Sequence, residues 1–284
     1  MKIIKLSGGL GNQMFQYMYG QYLSSKYNEK VYYDITFYKK EYKNLDSRNI
    51  ELLKFDIDID IVDDKEYPFL TYSKVDRIKY LIKCISCFQR NCFNIVFESK
   101  NNVFIRFLSN ISRNTYYIGY WQEYKYLINE YNFKLKKNQP LINTTIKEKI
   151  LKSNTVSIGI RRGDYVKLGV IVCDIEYYEK AINIINKEVD APVYFIFSDD
   201  IEWCKENIEI ANEHFFVEAN QDTPFENMEL MSLCKHNIIS NSTYDWWGAM
   251  LNINKQKIVI CPKDWMPNEK DIRKGLIPNE WIKI

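Results

Sequence analysis

Along the chain, short alternating apolar stretches take turns with stretches in which apolar residues recur at helical spacing. "KIIKL" at the start has the alternation of a half-buried strand, and the loop "SGGLGNQ" follows it. Met14, Phe15, Met18, Tyr19, Tyr22 and Leu23 then recur every three to four positions, which predicts a helix starting near Asn12. "KVYYD" reads as the next strand and completes a β-α-β opening. In "FDIDIDIV", Asp56, Asp58 and Asp60 alternate with Ile57, Ile59 and Ile61, as in a strand with one carboxylate face. From Lys74 to Arg113 basic residues outnumber acidic ones, and Ile78, Leu81, Ile82 and Ile85 fall on one helical face.

The polar, proline-containing segment "KLKKNQPLINTT" marks a boundary, giving domains over 1–150 and 151–284. In "VSIGIRRGDYV", Val156, Ile158 and Ile160 alternate with small or polar residues, and Gly163-Asp164 reads as a turn. A helix from about Ile175 to Asn186, the strand "PVYFIF" and the loop "SDD" come next. They are followed by a helix from Ile201, a strand at "HFFV", a helix from Phe225 to Lys235, the strand "NIIS" and the loop "NSTYDWWGA". Such alternation predicts an α/β protein whose second half is a parallel sheet with its loops gathered at one edge.

Composition narrows the classes. The net charge of +2 over 284 residues carries no polyanion signature, which argues against nucleic acid as partner. The first apolar stretch is too short for a signal peptide, and no stretch of about 20 apolar residues is present. The expectation is a soluble, cytoplasmic protein. Seven cysteines without a secretory signal suggest reduced thiols. Cys84 and Cys87 have zinc-like spacing but lack a second pair or a nearby histidine, so no metal is expected there. Asp56, Asp58 and Asp60 read either as a metal-binding DxD, as in metal-dependent sugar transferases, or as a solvated strand face. The second reading is preferred because no glycine-rich or basic diphosphate partner adjoins them. The basic stretch at 74–113 fits core packing with solvated lysines, with peripheral contact to an anionic membrane surface as the alternative.

The polar residues that carry chemistry stand behind apolar stretches. Arg161 and Arg162 follow a strand at its C-terminal lip, where open α/β sheets bind ligands, and the guanidinium fork suits phosphate or carboxylate. A surface ion pair within a turn would use the same residues. The loop with Gly8, Gly9 and Gly11, leading into Asn12 and Gln13, lacks the Lys-Ser/Thr of a P-loop. Met14 stands where a dinucleotide fingerprint has its third glycine. Its glycines would let a ligand approach the backbone near a helix N-terminus, or simply form a tight turn. Ser198, Asp199 and Asp200 end another apolar strand, where capping of the next helix is the simplest role. Asn241, Ser242 and Thr243 could hold phosphate or sugar oxygens. Trp246 and Trp247 beside them read as packing or, alternatively, as sugar-stacking rings.

Taken in order, "GGLGNQMFQY" at 8–17, "IRRGDY" at 160–165, "FSDDIEWC" at 197–204 and "LMSLCKHNIISNSTYDWWGAML" at 230–251 resemble the bacterial branch of the α-1,2-fucosyltransferase family. The resemblance implies a GT-B architecture of two Rossmann-like domains, with GDP-fucose held mainly by the C-terminal one and the acceptor in the cleft. It implies an inverting transfer to a sugar hydroxyl, usually O2 of a galactose, without a metal or other cofactor, in surface-glycan synthesis such as that of O-antigen or capsule. Arg161 would grip the pyrophosphate and stabilise departing GDP, supported by Arg162. Donor contacts are expected from Gly9, Gly11, Asn12, Gln13, Arg161, Arg162, Ser198, Asp199, Asn227, Asn241, Ser242 and Thr243. The glycan acceptor, lipid-linked or free, and membrane contact through 74–113 stay open.

Three positions depart from the family pattern. Gly159 replaces a histidine, Asn227 an aspartate, and Asp245 the serine usual before the paired tryptophans. The first two weaken the expectation of guanine as the donor base, although Glu226 could stand in for the missing carboxylate. For the base that takes the acceptor proton, Asp164 leads, with Asp174 and Glu176 behind it; Asp164 could instead orient the arginines. The rival readings are a non-catalytic carbohydrate or nucleotide-binding module, a metal-dependent transferase built on Asp56, Asp58 and Asp60, and a related transferase with a different nucleotide sugar.

Overall fold

The structure, a computed structural model, describes residues 1–39, 49–62, 65, 67, 70, 94–98, 105–107, 114–127, 133–134, 136, 143–218, 223–267 and 275–284. The chain divides into two compact units, Met1–Lys137 and Asn138–Ile284.

The first unit holds a five-stranded sheet formed by β1 (Lys2–Lys5), β2 (Val31–Asp34), β3 (Asn94–Phe97), β4 (Ile105–Phe107) and β5 (Thr115–Ile118), in the order β2-β1-β5-β3-β4. Its pairs are parallel except β3 with β4. Helix α1 (Leu10–Tyr27) follows β1 through Gly8, whose φ of 81° is a left-handed conformation that favours glycine. Met14, Phe15, Met18, Tyr19 and Leu23 are buried, so the helical spacing in the sequence is the core face of α1. The Asp56–Asp60 run is not a regular strand: isolated bridges flank it at Phe55 and at Ile61, the latter parallel to Tyr33. Asp56 donates its backbone N–H to Lys134 O, Asp58 O accepts from the Tyr17 hydroxyl, and Asp60 O accepts from Tyr33 N. The amphipathic segment around Ile78–Ile85, with Cys84 and Cys87, lies outside the described residues.

The second unit is a six-stranded, all-parallel sheet in the order β11-β10-β9-β6-β7-β8. Its strands are β6 (Asn154–Ile160), β7 (Pro192–Ser198), β8 (His214–Val217), β9 (His236–Ile238), β10 (Val259–Cys261) and β11 (Ile282–Lys283). Between and before them run α2 (Thr144–Lys152), α3 (Gly163–Leu168), α4 (Ile175–Glu188), α5 (Ile201–Asn207), α6 (Pro224–Leu233) and α7 (Thr243–Met250). β6 and β7 pair over their full lengths, from Asn154↔Pro192 to Ile160↔Ser198. They are buried on both faces, as strands of a helix-covered parallel sheet must be. Tyr177, Tyr178, Ala181 and Ile185 of α4 pack with Val156 and Ile158, while Leu230, Met231 and Cys234 pack with Phe195 and Phe197. Burying each such large apolar side chain contributes about 1.5–3 kcal/mol relative to exposure.

Three readings of the sequence need adjusting. Helix α2 belongs to the second unit, since Ile150 packs with Val193 and Phe195 and accepts from the Thr155 hydroxyl, so the division falls before residue 150. Gly163-Asp164 is the first turn of helix α3. Most of the expected loop "NSTYDWWGA" is helix α7, which Ser242 caps by accepting from Tyr244 N at 3.2 Å. Trp246 and Trp247 are fully buried, which is the packing role. Cys173, Cys204, Cys234 and Cys261 are free and buried.

Candidate active site

In the second unit β6 lies between β9 and β7 in the sheet, so the segments leaving these strands share one lip. Arg161 and Arg162 leave β6, Asp199 and Asp200 leave β7, and Ser240 to Asp245 follow β9. Arg161 is held on two nitrogens, Nη1 by Asp199 at 2.8 Å and Nη2 by Asp164 at 2.6 Å. Burial works against its charge, yet Asp199 and Asp164 outweigh that and raise its proton affinity above the ordinary value. The side chain keeps 28% of its surface exposed, so the cation faces solvent from a carboxylate cradle. Arg162 donates from Nε to Asp200 at 3.1 Å, and its guanidinium lies 3.6 Å from the centre of the Trp203 ring.

Local sequence explains this geometry. Asp199 also accepts from the Arg162 backbone N–H at 2.8 Å, passing over Gly163, where a Cβ would stand 2.5 Å from its Oδ2. Glycine at 163 is therefore what lets one carboxylate bridge both arginines. Asp200 caps α5 by accepting from Trp203 N at 3.3 Å, and the Ser198 hydroxyl accepts from Asp200 N at 3.0 Å. The capping role read from "SDD" and the contact with Arg162 thus reside in the same side chain.

The other expected residues occupy several kinds of position. Asn241 is buried and donates to Val170 O at 2.8 Å and Trp265 O at 3.0 Å, fixing the loop behind α3. Thr243 opens α7 beside the capping Ser242. Asn227, on α6, donates to Glu218 O at 3.4 Å, and Glu226 accepts from the Thr223 hydroxyl at 2.8 Å. Asp174 caps α4 and Glu176 pairs with Lys180, so both serve that helix. Of the three carboxylates considered as base, only Asp164 reaches the arginines.

The first unit carries the glycine-rich loop. Gly9 is extended and leads into α1, with Gly11 in its first turn. Asn12 accepts from Gln122 Nε2 at 2.7 Å. Gln13 turns inward: its amide donates to Gly8 O and Asn49 O and accepts from Leu52 N, all within 3.1 Å. Its side chain braces the loop from behind. Gln16, which sequence reasoning passed over, does the same by joining Ser7 to Gly119 O at 2.9 Å. A glutamine on the apolar face of α1 was the available signal. Asp60 pairs with Lys30 at 2.7 Å, and among the described residues no group of three His, Cys, Asp or Glu side chains could hold a metal ion.

Two of the three departures from the resembled family are in contact. Asp245 lies against Gly159, 5% exposed, and accepts from Ser240 N at 3.2 Å and Ser240 Oγ at 2.5 Å. Burial pushes its carboxyl up to about 6, although the Ser240 bonds and Arg161 oppose the rise.

The family model described as Glycosyl transferase family 11 matches residues 1–284. The chain belongs to this family. This family 11 glycosyltransferase is 32% identical to the alpha-1,2-colitosyltransferase of Escherichia coli, over 99% of this chain and 98% of that relative. It is 33% identical to the O-antigen biosynthesis glycosyltransferase WbnK of Escherichia coli, over 98% of this chain and 99% of that relative. Its structure is similar to that of NodZ alpha-1,6-fucosyltransferase co-crystallized with GDP, at a TM-score of 0.53 and 13% identity, covering 88% of this chain and 92% of that one. That likeness is one of fold, and the fold is the GT-B type with parallel sheets. As a glycosyltransferase the protein takes a nucleotide-sugar donor and a glycan acceptor. Among its described residues no helix is long and apolar enough to cross a membrane.

Proposed function

We propose that this glycosyltransferase moves L-fucose from GDP-fucose to O2 of a galactoside, forming an α-1,2 linkage in surface-glycan synthesis, with inversion and without a metal. The observation that carries the reading is Arg161, fixed in plane by Asp199 and Asp164 at the lip of a parallel sheet. The acceptor hydroxyl would attack the anomeric carbon as the bond to the β-phosphate oxygen breaks. The electron pair goes to GDP, and the hydroxyl proton passes to a base. Charge grows on the departing diphosphate, and a preorganised guanidinium stabilises it more than the ground state. In this reading Arg162 backs that grip, while Gly9, Gly11, Asn12, Ser198, Asn227, Asn241, Ser242 and Thr243 shape the donor loops, with Gln13 bracing from behind. Asp164 orients Arg161 and is the first candidate to take the acceptor proton.

The linkage is supported by the name of the E. coli alpha-1,2-colitosyltransferase, and the pathway by that of the O-antigen glycosyltransferase WbnK. The first of these also supplies a second reading, in which the transferred sugar is colitose rather than fucose. The test is turnover of GDP-fucose with a β-galactoside in EDTA, with the product linkage read by NMR. An α-1,2-fucosyl product at undiminished rate is expected. Loss of rate in EDTA restored by Mn²⁺ contradicts the metal-free reading, and a different linkage contradicts the acceptor position.

A further inference from the structure

The two arginines of the lip are held in different ways. Arg161 has a carboxylate on each terminal nitrogen, Asp199 on Nη1 and Asp164 on Nη2. Arg162 is held at Nε by Asp200 at 3.1 Å, and among the described residues neither of its terminal nitrogens has a protein acceptor. A hydrogen bond at Nε alone would let the plane of the fork tilt. The second constraint is the Trp203 ring, whose centre lies 3.6 Å from Cζ of Arg162, a contact that cation–π attraction favours. Trp203 is itself fixed. Its side chain packs against the core of the second unit, its backbone N–H donates to Asp200 Oδ1 at 3.3 Å, and its carbonyl accepts from Asn207 Nδ2 at 2.8 Å. Asp200 therefore ties ring and guanidinium together, with one carboxylate oxygen on the backbone of Trp203 and the other on Arg162.

We infer that Trp203 is a positioning residue for donor binding: its ring sets the plane of Arg162, whose Nη1 and Nη2 donate as a pair to oxygens of the donor diphosphate. A guanidinium with both terminal nitrogens open offers the planar pair of donors that matches a phosphate. Holding that plane in advance matters, because a side chain ordered only on binding loses part of its binding energy to the ordering. The inference rests on the donor reading proposed above.

The test is calorimetric binding of GDP to the full chain in a double-mutant cycle of Trp203→Leu and Arg162→Met, with Trp203→Phe alongside and each variant checked by thermal melting. Trp203→Leu should weaken GDP about 3- to 30-fold, and Trp203→Phe, which keeps a smaller ring face, should fall between it and the unaltered protein. Arg162→Met should weaken GDP about 10- to 100-fold. In the Arg162→Met background, Trp203→Leu should cost less than about a further twofold, because the ring no longer has a plane to set. A role of Trp203 in the fold alone lowers GDP affinity by the same factor in both backgrounds, and that result overturns the inference alone. So does a folded Trp203→Leu variant that binds GDP like the unaltered protein. If Trp203→Leu does not fold, Trp203→Phe takes its place in the cycle, with an expected loss of about 2- to 5-fold. Full GDP affinity in Arg162→Met overturns the inference and removes Arg162 from the donor contacts. An unaltered protein that does not bind GDP overturns the donor reading and this inference with it.

Discussion

Arg161 has its plane set before any ligand arrives, because Asp199 and Asp164 hold different nitrogens of one rigid fork. Lysine would keep the charge and lose that geometry. Arg161→Lys should therefore lower kcat about 10²- to 10³-fold with an unchanged melting temperature. A folded variant that keeps half the rate removes Arg161 from the role proposed for it. Asp245 titrates in a different range from an ordinary carboxyl, from 3.8 up to about 6 through burial. The folded state then binds its proton more tightly than the unfolded state. The stability this contributes is full below about pH 4 and is lost as pH rises through about 6. Relative to Asp245→Asn, the unaltered protein should lose up to about 3 kcal/mol between those limits, read by urea melts at a series of pH values. A constant difference across that range contradicts a buried, ionising Asp245.

The lip is assembled by elements whose ends are set by single residues. Gly163 opens α3 and lies under Asp199, so the bridge from Asp199 to both arginines exists only without a Cβ there. Gly163→Ala should displace Asp199 and lower turnover at least tenfold while the sheet stays folded, a comparison that activity and far-UV CD make directly. Full activity in the alanine variant shows that the bridge is dispensable. At this scale the sequence was legible where periodicity and burial agree, as in α1, α4, β6 and β7. It misled at Gly163-Asp164 and in "NSTYDWWGA", where turn-forming residues begin helices, the second of them capped by the Ser242 side chain. It misled again in "FDIDIDIV", which among the described residues pairs through isolated bridges rather than as a continuous strand. The short strands β3 to β5, β10 and β11 carry too few residues for a period to stand out.

Over the whole chain, the family and the all-parallel sheet of the second unit were legible, since they follow from the order of the motif blocks and the βαβ spacing. The contact between Gly159 and Asp245 was not. The two residues are distant in sequence and meet only because β6 and β9 are neighbours. The fold shared with NodZ does not select a donor, so the base and sugar must be read from the site. The central claim is transfer from GDP-fucose by the Arg161 grip. The most direct measurement is kcat/KM for GDP-fucose against a panel of UDP-, dTDP- and other GDP-linked sugars, with one β-galactoside acceptor and EDTA present. The account predicts that GDP-fucose has the highest value; a UDP- or dTDP-sugar that exceeds it contradicts the account.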